Sequence, residues 1–340
     1  MDKRIIFAVA GSGKTTYLIN CLTLDKRYLI LTYTTNNFET IRNYIIEKFG
    51  YFPENIKLQT YFGFLYSFCF KPLLSYKVNP KGINWKSDYP PYLKNTDKKF
   101  YLDQTNRLYY NRIAKLCEVQ NILPDINERL ERYFDCLLID EIQDFAGHDF
   151  NLLKSISQAN CEMFFVGDFY QHTYSTSYDG NVNIRLFNDY NSYTKEFDKM
   201  GFVVDTDTLQ KSYRCSKTVC DFIQSQIGIQ IYSSTNRDSK VKVIENRLEA
   251  ESIIHDNSII KLFYQAHYKY NCYSMNWGCS KGINGFNDVC VVLNKATKQA
   301  FDKLQIKCLP PQTKNKFYVA CSRANNDLFF ISEEYAKKTK

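Results

Sequence analysis

The chain has no apolar run long enough to cross a bilayer. Its longest, Tyr61 to Phe70, falls far short of the roughly 20 residues a spanning helix needs. No secretory leader precedes the first charged residues, so the expectation is a cytoplasmic protein with no membrane partner. Its 12 cysteines contain no C-x-x-C pair, and its 4 histidines lack ligand spacing. That pattern speaks against zinc and for reduced, mostly buried thiols. No repeat or low-complexity tract interrupts the sequence. Acidic residues are the minority, 36 against 44 basic, for a net charge of +8. A surplus of that size favours a polyanionic partner without requiring one. What is abundant is aromatic: 27 Tyr and 25 Phe among 340 residues, a length that suits about two domains.

The stretch Arg4 to Thr16, R-I-I-F-A-V-A-G-S-G-K-T-T, carries the first chemistry. Ile5 to Val9 reads as a short buried strand. Ala10, Gly11, Ser12 and Gly13 form a small-residue turn, and Lys14, Thr15 and Thr16 open a helix. Glycines at 11 and 13 let backbone N–H groups wrap a phosphate at a helix N-terminus. Lys14 supplies a charge for the β and γ phosphates, and the Thr15 hydroxyl is placed to ligate Mg²⁺. Ala8 stands where the strict motif has glycine. Strand, turn and helix nevertheless fall in the order that an ATP-type phosphate site demands.

Further along, Tyr28 to Thr32 reads as a strand. A capping turn at Thr34 to Asn37 leads into a helix from Phe38 to Phe49. Lys71 to about Asn106 reads as an irregular insertion, rich in Lys, Tyr, Asn and Pro, suited equally to nucleic-acid contact and to a solvated excursion. Leu108 to Leu130 reads as helical. Cys136 to Ile139 is a buried strand ending in Asp140-Glu141, and Cys161 to Val166 another ending in Gly167-Asp168. Carboxylates at strand ends beside a phosphate loop indicate a parallel α/β sheet with its site at the carboxyl ends. Asp140 can hold Mg²⁺, and Glu141 is then placed to polarise an attacking water. A second set of strands is expected at 202–205, 241–245, 259–263, 289–293 and 328–331.

These segments together resemble the UvrD/Rep-type superfamily 1 helicases. A-V-A-G-S-G-K-T-T, L-T-Y-T-T-N-N-F (Leu31 to Phe38) and Q-T-Y-F-G-F (Gln59 to Phe64) are similar to the family's first three motifs. D-E-I-Q-D (Asp140 to Asp144) matches D-E-x-Q-D, and G-D-F-Y-Q (Gly167 to Gln171) matches G-D-x-x-Q. L-Q-K-S-Y-R (Leu209 to Arg214), S-K-G (Ser280 to Gly282) and F-Y-V-A-C-S-R-A (Phe317 to Ala324) follow in the family's order.

The resemblance implies two tandem RecA-like P-loop domains with parallel sheets, 1–200 and 201–340, an insertion at about 71–133, and ATP in the cleft between them. It implies that Gln143 and Gln171 sense the γ-phosphate and the attacking water, that Arg214 and Arg323 act as arginine fingers, and that Tyr213 stacks on adenine. It also places single-stranded DNA against Tyr33, Thr60 and Tyr61. The implied activity is an ATP-dependent, 3′→5′ single-strand DNA translocase or helicase. Departures lie in the missing upstream glutamine segment, in Thr176-Ser177 where an aromatic-Arg pair is usual (with Tyr174 or Tyr178 as substitutes), and in Gly278 and Asn284 where His and Glu are usual. The large family insertions are also missing. They leave open a nucleotide-gated accessory subunit working with a nuclease or a replication or repair factor. An RNA helicase is disfavoured by D-E-I-Q-D.

Overall fold

The structure is a computed structural model that describes residues 2–86, 92–173 and 181–337. Its first strands are short runs of branched and aromatic residues: β1 (Lys3–Phe7), β2 (Tyr28–Thr32) and β3 (Ile56–Thr60). The chain then forms a small parallel pair, β4 (Gly82–Asn84) with β5 (Arg107–Tyr109). It returns to the main sheet as β6 (Cys136–Ile139), β7 (Glu162–Gly167) and β8 (Val203–Asp205). The six strands lie in the order β3-β2-β6-β7-β1-β8. Pairing is parallel between β3 and β2, β2 and β6, β6 and β7, and β1 and β8. Every residue of β2 and β6 is buried, as expected where helices cover both faces of a parallel sheet. The carboxyl ends of β6, β7 and β1, neighbours in the sheet, lead into Asp140, Asp168 and the glycine turn.

Local chemistry sets the element ends. The helix Thr35–Phe49 starts where Thr34 Oγ1 accepts the Asn37 N–H at 3.2 Å. It stops at Gly50, whose φ of 79° suits a residue without a Cβ. Two expectations are revised. The helix expected from Leu108 to Leu130 is four pieces: β5, a 3₁₀ turn Tyr110–Arg112, a helix Ile113–Val119 and a helix Leu123–Tyr133. Asn121 takes a left-handed φ of 56° between the two helices, and Pro124 sits in the first turn of the second, where its missing N–H costs nothing. The segment Val203–Asp205, expected to begin the second set of strands, instead pairs with β1 in the first sheet. The insertion is also more regular than expected, with a helix Lys71–Val78 and the β4–β5 pair. Pro90, Pro91, Tyr174, Thr176, Ser177 and Tyr178 lie outside the described residues.

The second sheet follows a short parallel pair, β9 (Lys211–Ser212) with β10 (Tyr232–Ser233). Its strands are β11 (Val241–Ile244), β12 (Ile260–Phe263), β13 (Ser274–Asn276), β14 (Val289–Leu293) and β15 (Leu328–Ser332). They run parallel in the order β11-β15-β14-β12-β13. Trp277, Val291, Phe317, Tyr318 and Phe330 are fully buried in one core cluster with Val9 and Ala10 of the glycine turn. β13 is three residues long, too short for an alternating pattern to announce it.

Contacts divide the chain into two compact units. One holds Met1–Ile6, Thr15–Gly167 and Ser175–Asp205; the other holds Phe7–Lys14, Asp168–Tyr174 and Thr206–Lys340. Both are α/β with parallel sheets. Among the described residues, no helix is long and apolar enough to cross a membrane.

Candidate functional site

In the first unit the site begins at the carboxyl end of β6. Asp140 is buried, and its Oδ2 accepts a 2.9 Å hydrogen bond from Thr15 Oγ1. The Glu141 N–H donates to Asp140 Oδ1 at 3.0 Å. Glu141 itself has φ 59° and ψ 48°, a left-handed conformation that is costly for a side chain of this size. Gln143, fully buried, donates from Nε2 to Glu141 Oε2 and fixes the carboxylate's direction. Gly167, at the end of β7, passes so close that a Cβ there would lie 2.6 Å from Ile142 Cγ2 and would strike the Gln143 carboxamide. The glycine of G-D-x-x-Q therefore makes room for the glutamine of D-E-x-Q-D. Gln143, expected at the γ-phosphate, here orients Glu141.

In the second unit the glycine turn forms the cradle expected to take a phosphate. Gly11 and Gly13 have φ of 71° and 84°. A Cβ on Gly11 would lie 2.7 Å from Arg214 Cβ and 2.8 Å from Ser212 Oγ. The Tyr213 N–H donates to Gly11 O at 2.9 Å, so this close approach is built into the backbone. Gly13 has open space around it, and there only the backbone conformation calls for glycine. Ser12 is 2% exposed and its Oγ has no hydrogen-bond partner in the structure. A buried hydroxyl of that kind fits a turn shaped for an anion. Lys14 is buried beside it, while Thr16 faces solvent.

Behind the cradle runs a chain of buried hydrogen bonds. The Ala10 N–H donates to Tyr318 Oη at 2.9 Å, and Tyr318 donates in turn to Asp168 Oδ2 at 3.1 Å. Gln171 Nε2 donates to the same carboxylate oxygen at 2.8 Å. Arg323 Nη2 reaches Gln171 Oε1 at 3.4 Å. Burial, with the Asp168 carboxylate beside it, raises the Tyr318 pKa well above the usual phenol range. The hydroxyl therefore stays protonated and keeps its donor role. Tyr318→Phe removes one buried acceptor and one buried donor at a single atom. It should lower the unfolding free energy by about 1–3 kcal/mol. A urea titration checks this, and an unchanged midpoint would show that the hydroxyl's bonds contribute nothing.

Arg214 is half-buried, with Nη1 donating to Ser322 O at 3.3 Å and Nη2 to Asn284 Oδ1. Asn284, where the family pattern has Glu, thus accepts from the first of the two expected arginines. Tyr213 is 67% exposed, an available ring face. Among the residues expected at nucleic acid, Thr60 caps the next helix by accepting the Gly63 N–H at 3.1 Å. Tyr61 is 3% exposed; its hydroxyl donates to Asp149 Oδ1 at 2.9 Å and its ring packs edge-on against Phe145 at 4.6 Å. Tyr33 stacks on Tyr61 and donates to the other oxygen of Asp149 at 3.2 Å. A ring so enclosed offers Tyr61 no face for a base, which revises its expected contact. Sequence reasoning gave no role to Tyr318 or Asp149, and noted Asn284 only as a departure from the family pattern. The first lies inside a quoted motif, whereas only the fold brings Asp149 to the two tyrosines.

Residues 71–188 match the family model described as UvrD/REP helicase N-terminal domain. That range contains D-E-I-Q-D and G-D-F-Y-Q. No curated protein matches the chain in sequence. Among solved structures, it is similar to an arterivirus nonstructural protein 10 helicase in complex with DNA, with a TM-score of 0.51 at 13% identity over 97% of this chain. A second arterivirus nonstructural protein 10 helicase structure gives a TM-score of 0.51 at 12% identity over 99% of this chain. The chain spans 60% and 62% of the length of those two proteins. In fold, over nearly its whole length, the chain resembles these arterivirus helicase structures, and in sequence, over residues 71–188, it resembles the UvrD/REP helicase N-terminal domain.

Proposed function

We propose that the chain is an ATP-driven motor on single-stranded DNA, moving 3′→5′ as the resemblance implies. The observation that carries the proposal is the Thr15 hydroxyl on the Asp140 carboxylate at 2.9 Å, with Glu141 next in the chain. Two hard oxygen donors side by side suit Mg²⁺, which keeps most of its water and takes one or two protein ligands. Bound there, Mg²⁺ would supply charge neutralisation for the ATP phosphates. Lys14 and the N–H groups of Gly13 to Thr15 would hold the β and γ phosphates. Glu141, oriented by Gln143, would accept a proton from the attacking water. Gln171 would position that water, and Arg214 and Arg323 would stabilise the charge that develops on the transferred phosphoryl group. Tyr213 would stack on the base.

For the DNA side, support comes from the net charge of +8 and from the DNA bound in one of the fold relatives. The experiment is steady-state ATP hydrolysis with and without an oligothymidylate, followed by strand displacement on a 3′-tailed duplex. Stimulation by the strand with displacement is the expected result. Hydrolysis indifferent to DNA would overturn the motor and point to the accessory-subunit reading. Stimulation by an RNA strand alone would overturn DNA as the track.

A further inference from the structure

The +8 net charge is unevenly spread. Between Lys71 and Arg112 there are nine lysines and arginines against three aspartates and no glutamate. From the same segment rises an aromatic cluster that the ATP chemistry does not use. Trp85, just past β4, is 61% exposed. Its ring sits 4.5 Å from that of Phe62 and 5.7 Å from that of Tyr110. Phe62 in turn stacks on Tyr66 at 6.0 Å, the two planes within 5° of parallel.

An indole held against two rings yet open to solvent is a poor core residue. Full burial of the ring would remove apolar area from water that this placement leaves exposed. The neighbouring backbone holds it in place. Lys86 N–H donates to Asn84 Oδ1 at 2.8 Å, and β4 pairs with β5 from Gly82 to Asn84. Lys81, Lys86 and Arg107 are exposed on the same two-strand unit.

We infer that Phe62, Trp85 and Tyr110 form a stacking platform for an unpaired base of single-stranded DNA, with Lys81, Lys86 and Arg107 neutralising the flanking phosphates. The inference rests on the motor reading and names where that motor grips its track. Aromatic faces ringed by cations suit a polyanion with flat bases, and the shortage of carboxylates excludes a basic partner. Only an unpaired base exposes a face for stacking, so the strand rather than the duplex is the occupant. Phe62 lies two residues beyond Thr60, which carries the platform's edge to the residue already expected at the backbone of the strand.

The chain has only two tryptophans, and Trp277 is fully buried. Both emit, but only Trp85 is open to a ligand, so a change in emission on adding a strand reports on Trp85. Titration with an oligothymidylate should quench that emission, and Trp85→Phe should abolish the response while leaving the Trp277 signal. In fluorescence anisotropy, Trp85→Ala should weaken binding of the labelled strand about tenfold or more, with ATP hydrolysis in the absence of DNA unchanged. Binding of the strand without quenching, and with Trp85→Ala at wild-type affinity, would overturn the platform and leave the motor reading standing. No binding of any strand, with hydrolysis indifferent to it, would overturn both. A response to duplex alone, or to oligouridylate alone, would overturn single-stranded DNA as the occupant.

Discussion

Glu141→Gln should leave ATP binding in place and slow its hydrolysis by about 10²–10⁴-fold. The substitution keeps size, shape and the unusual φ of 59°, and removes only the proton acceptor. Its new carboxamide can still accept the hydrogen bond that Gln143 Nε2 now donates to Glu141 Oε2. The Thr15–Asp140 pair is untouched, so phosphate and Mg²⁺ binding should survive. Binding of a fluorescent ATP analogue, measured beside single-turnover hydrolysis, separates the two effects. A loss below tenfold would remove Glu141 from the proposed role of base. A companion substitution, Gln143→Ala, should lower the rate less, because it frees the carboxylate's direction without removing it.

Much of this site was legible because its residues cluster in short motifs at strand ends. Gly11, Gly13, Lys14, Thr15, Asp140 and Glu141 follow from the order strand, turn, helix and from carboxylates that end apolar strands. The parallel α/β class followed from the same pattern. What the sequence hid has physical causes. The pairing of Val203–Asp205 with β1 is a long-range choice that three residues cannot encode. The break between the helices at Ile113–Val119 and Leu123–Tyr133 rests on one left-handed asparagine and one proline inside an otherwise helical composition. Tyr61 carried the same aromatic signal as Phe62 one position on. Only the fold decides that Tyr61 turns inward to Asp149 while Phe62 meets Trp85. For Gln143 the motif named a γ-phosphate role, and only the fold shows that its carboxamide also donates to Glu141.

Arg323→Ala should cost about 10³-fold or more in hydrolysis on the proposed reading, with a smaller effect on ATP affinity. Arg323 is 3% exposed, and every branch of its guanidinium is directed. Nε donates to Val319 O at 3.3 Å, Nη1 to Ile283 O at 3.1 Å, and Nη2 to Gln171 Oε1 at 3.4 Å. A planar fork held on three sides has little freedom left to lose when charge develops in front of it. Lysine cannot reproduce that fork, so Arg323→Lys should recover less than a tenth of the rate although it keeps the charge. The same burial means that truncation also removes the guanidinium's bond to the Ile283 carbonyl, while Val319 O keeps the Ser322 hydroxyl, and some stability is lost with it. The two effects part in the measurement. A structural role alone would lower the melting temperature and leave the rate of the folded fraction near wild type at low temperature. A charge-stabilising role leaves the folded protein slow at every temperature. Arg214 provides the contrast. It is half-buried and held by Asn284 and Ser322, so Arg214→Ala should slow hydrolysis with little change in melting temperature. If both arginine variants hydrolysed ATP at the wild-type rate, neither would stabilise the transition state, and the arginine part of the proposal would fall.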